Sequence, residues 1–207
     1  MDEQREKIEL SALFKIGYGL YILTTNDGER DNGCIVNSVM QVSNEPLRVA
    51  VSVNKQNYSC ETILRTSKMN INCLSIDTPF EVFKRFGFRS GREVDKFGGV
   101  SPLRSENGLA VTVEFCNAFL SLAVEQKIDL GSHELFVCSV EKAAVLSKRD
   151  TMTYTEYQKS VKPKPVETKK NSYVCKICGY VYDGEKLPRD YVCPICKHDA
   201  SVFELVR

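Results

Sequence analysis

Gly33-Cys34-Ile35-Val36-Asn37-Ser38-Val39-Met40-Gln41-Val42-Ser43, followed after Pro46 by Leu47-Arg48-Val49-Ala50-Val51-Ser52-Val53-Asn54, is the stretch on which the fold turns. In its second half Leu47, Val49, Val51 and Val53 alternate with Arg48, Ala50, Ser52 and Asn54, the period of a strand with one buried face. Leu109, Val111, Val113 and Phe115 alternate in the same way with Ala110, Thr112 and Glu114. Working outward, further strands are predicted over 18–25, 34–42, 71–76, 118–127 and 134–145, the first closed by the turn signal Asn26-Asp27-Gly28. Helices are fewer, at about 2–16, 59–68 and 79–86. Many evenly spaced strands with few helices predict a mainly β domain closed into a barrel rather than a doubly wound sheet.

At 207 residues the chain has room for one such domain plus a small module. The division falls in a stretch rich in Lys, Pro, Thr and Ser, giving a barrel domain over 1–157, a linker over 158–172 and a module over 173–207. Lys-Pro-Lys-Pro at 162–165 predicts an extended, semi-stiff tether. Lys+Arg of 28 nearly cancels Asp+Glu of 27, so bulk charge points to no nucleic acid. No apolar run approaches the roughly 18 residues of a membrane span, and the charged start MDEQREKIEL does not read as a signal peptide. A cytoplasmic protein is expected. Neither G-x-G-x-x-G nor a Walker sequence is present, so a nicotinamide, if used, binds without a Rossmann unit.

Nine cysteines in a reducing compartment shift attention from disulfides to metal and redox chemistry. Cys34, Cys60, Cys73, Cys116 and Cys138 are scattered and read as small buried hydrophobes. Cys175-Lys176-Ile177-Cys178 and Cys193-Pro194-Ile195-Cys196 are different: two C-x2-C knuckles, each delivering two thiolates to one ion, together complete a tetrahedron. Spacing alone leaves zinc and iron open. Tyr173, Tyr180, Tyr182, Tyr191 and Phe203 supply the miniature core that so short a module needs.

Cys175-x-x-Cys178-Gly179-Tyr180-x-Tyr182-Asp183, Pro188, Cys193-Pro194-x-Cys196 and Phe203 together resemble a rubredoxin, with the shortened spacer of rubrerythrin tails. The resemblance implies mononuclear iron held by Cys175, Cys178, Cys193 and Cys196. Two departures stand out: Tyr191 occupies the usual tryptophan position, and Lys197 replaces a glycine, where a left-handed residue costs about 1 kcal/mol.

From residue 17 to about 157 the chain resembles the flavin reductase family, FMN-binding split β-barrels that are usually homodimers. Gly33–Ser43, Val49–Val53, Asn54-Lys55-Gln56-Asn57-Tyr58-Ser59, Ser90-Gly91-Arg92-Glu93-Val94-Asp95-Lys96-Phe97 and Gly131-Ser132-His133 carry the likeness. It implies FMN contacts from Cys34, Val36, Asn37, Ser38, Ser52 and Asn54 along the strand pair, and from Lys55, Tyr58 and Ser59 at the phosphate. A helix N-terminus suits that anion, although Ser59 alone also reads as a simple N-cap. Lys96 and His133 are implied as catalytic and flavin-contacting groups, the first near the pyrimidine side and the second near the reacting edge. Each has an ordinary structural alternative, a surface lysine and a turn histidine. Met152–Tyr157 matches a family tail that packs an aromatic near the flavin or the dimer partner.

Joined, the two resemblances imply an oxidoreductase like the high-molecular-weight rubredoxins. NAD(P)H would reduce FMN, the iron centre would relay single electrons, and a redox protein such as a flavodiiron oxygen or nitric oxide reductase would accept them. Three alternatives stay open at this point: a free flavin or ferric reductase with an accessory metal module, a zinc-ribbon interaction module on a flavin-binding barrel, and a shuttle reduced by a separate enzyme.

Overall fold

The computed structural model describes residues 10–163, 172–176, 180–182, 184, 186–193 and 198–206. Its frame is a seven-stranded antiparallel sheet of β1 (Tyr21–Asn26), β2 (Asp31–Val36), β3 (Val39–Asn44), β4 (Leu47–Asn54), β5 (Lys68–Leu74), β8 (Cys116–Asp129) and β9 (His133–Val145). The spatial order is β2-β1-β5-β8-β9-β4-β3. The outermost strands β2 and β3 are consecutive in the chain and joined only by Asn37-Ser38, so the sheet must curl to bring the end of β2 to the start of β3. This is the expected barrel, mainly β with few helices.

In the alternation at 47–54, Val49, Val51 and Val53 point inward as expected and join Leu23, Ile71, Leu122 and Phe136 in the inner core, whereas Leu47 at the strand's start is 44% exposed and Ala50 on the opposite face is buried as well. The helix α1 (Tyr58–Thr66) adds Cys60 and Ile63 to that core. It ends at Ser67, whose backbone turns left-handed at φ 56° and donates to the Ile63 carbonyl at 2.8 Å. A second core lies on the outer face, where α2 (Phe80–Gly87) lays Phe83 and Phe86 against Leu20, Ile22, Leu74, Met152 and Tyr157.

Two predicted strands differ in the structure. The run 34–42 breaks into β2 and β3 at Asn37-Ser38, because the Ser38 carbonyl accepts from Ser52 N–H at 2.9 Å and turns the corner onto β4. The run 109–115 keeps only a short hairpin of β6 (Leu103–Arg104) with β7 (Ala110–Val111). There a side chain takes the place of a neighbouring strand: Asn72 Oδ1 accepts the Thr112 N–H at 3.0 Å, and Val113 is exposed. Of the expected N-terminal helix, a 3-10 segment over Leu10–Lys15 is described, and residues 1–9 lie outside the described residues.

Past the barrel, a helical turn (α3, Tyr154–Glu156) runs into a π-type turn over Tyr157–Val161. Tyr157 stacks on Phe83 with ring centroids 4.4 Å apart, and Val161 also packs on the outer core. Of the tail Met152–Tyr157, Met152 and Tyr157 thus belong to the outer core and Tyr154 packs against it. The module is a three-stranded sheet in which β10 (Ser172–Cys175) pairs with β11 (Val181–Tyr182) on one side and β12 (Phe203–Val206) on the other.

Candidate functional site

The cleft beside α1 is built from three parts of the barrel domain. Asn32 and Cys34 on β2 form its floor, the loop Gln56–Ser59 one side, and the segment Gly87–Gly91 beyond α2 the other. Its volume is about 210 Å³. That is smaller than the roughly 300–1,000 Å³ of a pocket enclosing a whole ligand, and suits one end of a nucleotide.

The local chain is shaped to leave this end open. Helix α1 starts at Tyr58 with Asn57 as N-cap, and no side chain caps it, so its positive end faces the cleft uncovered. This corrects the reading of Ser59 as a cap. Ser59 lies one residue inside the helix, buried, where its hydroxyl accepts from Asn32 Nδ2 at 2.9 Å and also contacts the Cys34 thiol. Asn32 is itself only 3% exposed, and its Oδ1 has no partner among the described residues. Gly91 comes so close that a Cβ there would fall 2.0 Å from Asn32 Oδ1, so only glycine lets the loop approach.

Tyr58 is fixed from three directions. Its hydroxyl donates to Asp27 at 2.7 Å, and the guanidinium groups of Arg30 and Arg92 lie 5.8 Å and 5.3 Å from its ring centroid. Arg92 also donates to the Gln56 carbonyl at 3.1 Å and to Glu61 at 2.7 Å, pinning the loop 90–92 to α1. The Tyr58 hydroxyl and the backbone N–H groups of Arg30 and Glu29 hold the Asp27 carboxyl down to about 2.

Lys96 reaches the same cleft, but as a buried side chain, 4% exposed, whose ammonium donates to the Gly33 and Phe86 carbonyls at 2.8 Å and 3.0 Å. Burial lowers its pKa, with the nearby Cys34 opposing. It is thus no surface lysine. The remaining residues expected to hold FMN fall in two other places. Val36, Asn37, Ser38 and Ser52 surround the β2–β3 corner, where Ser38 Oγ bonds Asn37 Oδ1 at 3.2 Å. Asn54, Lys55 and His133 gather where β4 meets the β8–β9 hairpin: Asn54 pairs with His133 across the sheet, and Lys55 pairs with Asp129 and Glu134. The His133 ring nitrogen Nδ1 lies 2.9 Å from Ser132 Oγ. Neither Lys55 nor His133 lines the cleft.

In the module, Cys175 and Cys193, one from each knuckle, are 1% and 0% exposed and share one cluster with Tyr180, Val202 and Phe203. Both knuckles are tied in the same way. The Cys175 N–H donates to the Tyr180 carbonyl at 2.9 Å and the Cys193 N–H to the His198 carbonyl at 2.8 Å, each bond closing a loop of equal length. Two buried thiols on matched loops fit a tetrathiolate ion. Cys178, Cys196 and Lys197 lie outside the described residues. Tyr191 stands where its ring meets Tyr182 at 4.6 Å and Phe203 at 5.5 Å, doing the packing expected of the aromatic set.

Residues 13–163 match the flavin reductase like domain family, and residues 173–204 match the rubrerythrin, rubredoxin-like domain family. The chain belongs to the flavin reductase-like family. Its C-terminal module is rubredoxin-like, and the whole is an oxidoreductase of flavin-dependent electron transfer. A high molecular weight rubredoxin of Moorella thermoacetica is 34% identical, the alignment covering 96% of this chain and 100% of the relative. A ferric-chelate reductase (NAD(P)H) of Archaeoglobus fulgidus is 33% identical over 78% of this chain and 95% of the relative. Among solved structures, a Streptomyces globisporus NADH:FAD oxidoreductase superposes with a TM-score of 0.62 at 20% identity, covering 74% of this chain and 91% of that one, a likeness of fold. No helix among the described residues is long and apolar enough to cross a membrane.

Gly91 and Arg92 lie in a segment that resembles the family, yet neither was expected in the site, and nor were Asn32, Arg89 and His198, which also line the cleft. Asn32 adjoins the Gly33-Cys34 motif, a signal that was available. His198 had none, because it reaches the cleft only through the docking of the module.

Proposed function

We propose that this chain is an NAD(P)H-dependent flavoprotein that passes electrons through FMN to an iron centre in its own module and on to a redox protein, such as a flavodiiron oxygen or nitric oxide reductase. The observation that carries the reading is the contact between its two domains: Phe88, just past α2, packs against the cluster containing Cys175 and Cys193. A relative aligned end to end with both domains supports it.

The uncapped start of α1, with Tyr58 and Ser59, would receive the FMN phosphate, and the β2–β3 corner with Val36, Asn37, Ser38 and Ser52 would bind the ring. A flavin exchanges electrons in pairs or singly and a tetrathiolate iron exchanges one, which is the chemistry the two groups would supply. The chain's own part is to bind and hold. Lys96 ties the segment 88–97 to β2 and α2 through two carbonyls while keeping a cationic group at the cleft. The aromatic rings around Cys175 and Cys193 keep water from the sulfurs, which influences a metal centre's potential.

A homodimer is part of the proposal. Met40 and Val42 on the edge strand β3, and Ile128 and Leu130 on the β8–β9 hairpin, are exposed apolar side chains suited to a second copy. Sedimentation should give twice the 23.4 kDa of the chain.

Anaerobic mixing with NADH and with NADPH tests the central claim. Bleaching of the flavin and then of the iron-thiolate absorption is expected, and no bleaching by either nucleotide sinks it. The match to a ferric-chelate reductase favours a second reading, in which reduced flavin or a ferric chelate leaves the barrel directly. FMN that stays with the protein through gel filtration argues against release of flavin. A visible spectrum with metal analysis separates iron from zinc.

A further inference from the structure

The cleft has a side that the barrel does not provide. His198, from the module, lines it together with Asn32, Ser59 and Gly91. Its backbone is fixed on both flanks: its carbonyl accepts from Cys193 N–H at 2.8 Å, and the next residue, Asp199, accepts from Ser201 N–H at 2.9 Å. The module meets the barrel domain at one packed contact and one groove. Phe88 packs on the cluster of buried cysteines and is braced by the Phe80 ring at 5.8 Å, and Lys176 lines a neighbouring groove with Tyr154 and Tyr157. With the module placed against the barrel domain in this way, His198 lies along the cleft.

We propose that the module is the closing wall of the cleft, with the His198 side chain donating a hydrogen bond to the phosphate of the bound flavin nucleotide and Phe88 seating the module for that purpose. The inference rests on the FMN reading above. It adds a ligand-holding role for the metal module, whose fold then governs how tightly the barrel keeps its flavin. The chemistry is sound for an anion: the barrel side offers helix-terminal N–H groups, and an imidazole N–H opposite them adds a donor to an oxygen that can accept several. Ordering such a donor before binding is what raises affinity.

The test compares FMN with riboflavin, which lacks the phosphate, by fluorescence quenching on flavin-free, metal-loaded full chain. His198→Ala is expected to weaken FMN about tenfold, the loss of one hydrogen bond to a charged group, and to leave riboflavin within about twofold. His198→Gln, which keeps a donor, should recover most of the affinity. Phe88→Ser should repeat the effect of His198→Ala while the metal-thiolate absorption stays intact, showing a folded but unseated module. Unchanged FMN affinity in both His198→Ala and Phe88→Ser overturns the proposal, as does equal weakening of FMN and riboflavin. A wild-type chain that binds riboflavin but gains nothing from the phosphate also overturns it. Failure of the wild type to bind either flavin is a different result, which removes the functional reading itself and this inference with it.

Discussion

The barrel and the module bury cysteines for opposite reasons. In the barrel, Cys34, Cys60, Cys116 and Cys138 are buried among aliphatic and aromatic side chains that would hold the fold without them. Burial pushes Cys60 up to about 11 and Cys116 and Cys138 up to about 12, so none is poised as a thiolate. In the module, Cys175 and Cys193 are themselves the buried apolar residues among those described, and the surrounding rings of Tyr180, Tyr191 and Phe203 are only partly covered. One domain tolerates its thiols; the other is organised around them. A module this small collects little apolar area of its own, so a metal ion held by its knuckles would supply the stability that its core does not.

That contrast breaks most visibly if the metal is removed. Chelation under reducing conditions, or Cys193→Ser, is expected to unfold the module and leave the barrel standing, since a structural tetrathiolate contributes on the order of 10 kcal/mol to its domain. Amide hydrogen exchange reads this directly: protection should vanish over 172–176 and 203–206 and persist in β4, β5 and β8. Protection that survives in the module would mean its rings suffice, and the contrast would fall. The reverse experiment is Phe136→Ala, which empties the centre of the inner core, where Phe136 is 0% exposed. A loss of about 3–5 kcal/mol is expected, followed by denaturant titration of the barrel, with the metal-thiolate spectrum unchanged in native conditions.

The same contrast explains what could be read from the sequence. Val49, Val51 and Val53 declare their buried face because a strand's period needs no knowledge of its neighbours. The two knuckles point to a metal because four ligands would come from two short local runs, and of these Cys175 and Cys193 are buried in one cluster. What stayed hidden depends on contacts between distant segments. Nothing near Thr112 shows that Asn72 will take its N–H and end the strand, and nothing near Ser38 shows that Ser52 will bend the chain there. Ser59 was legible as a helix-start residue but not as a buried partner of Asn32, since that bond joins β2 to α1. The cleft repeats the lesson: its α1 side was expected from the Asn54–Ser59 loop, whereas His198 arrives from another domain.

A smaller effect sharpens the role of Lys96. Lys96→Met keeps the length of the side chain but strips the Gly33 and Phe86 carbonyls of their donor inside the protein, which should cost about 1–3 kcal/mol in a denaturant titration. If stability drops by that amount and FMN affinity is unchanged, Lys96 positions the 88–97 segment only. If FMN weakens more than stability explains, the ammonium also serves the bound flavin.

The smallest effect concerns acid. Asp27 receives hydrogen bonds from the Tyr58 hydroxyl at 2.7 Å and from the Glu29 and Arg30 N–H groups, each at 2.9 Å, and its carboxyl sits at about 2 against an ordinary 3.8. Because the folded value lies below the unfolded one, the charged carboxylate stabilises the fold at pH above about 4, and that contribution is lost as pH falls through the range 4 to 2. The Asp27 side chain is only 9% exposed but sits on a turn whose next two residues, Gly28 and Glu29, face solvent, so the interaction is partly screened and the loss should stay within about 2 kcal/mol. Asp27→Asn, which keeps an acceptor for Tyr58 but cannot ionise, should be slightly less stable than wild type at pH 6 and should draw level as pH approaches 2. Thermal unfolding of both proteins across that range makes the comparison. A gap that persists unchanged to the lowest pH would show that Asp27 acts through shape rather than charge. The loop holding Tyr58 would then owe its place to the flanking guanidinium groups of Arg30 and Arg92 instead.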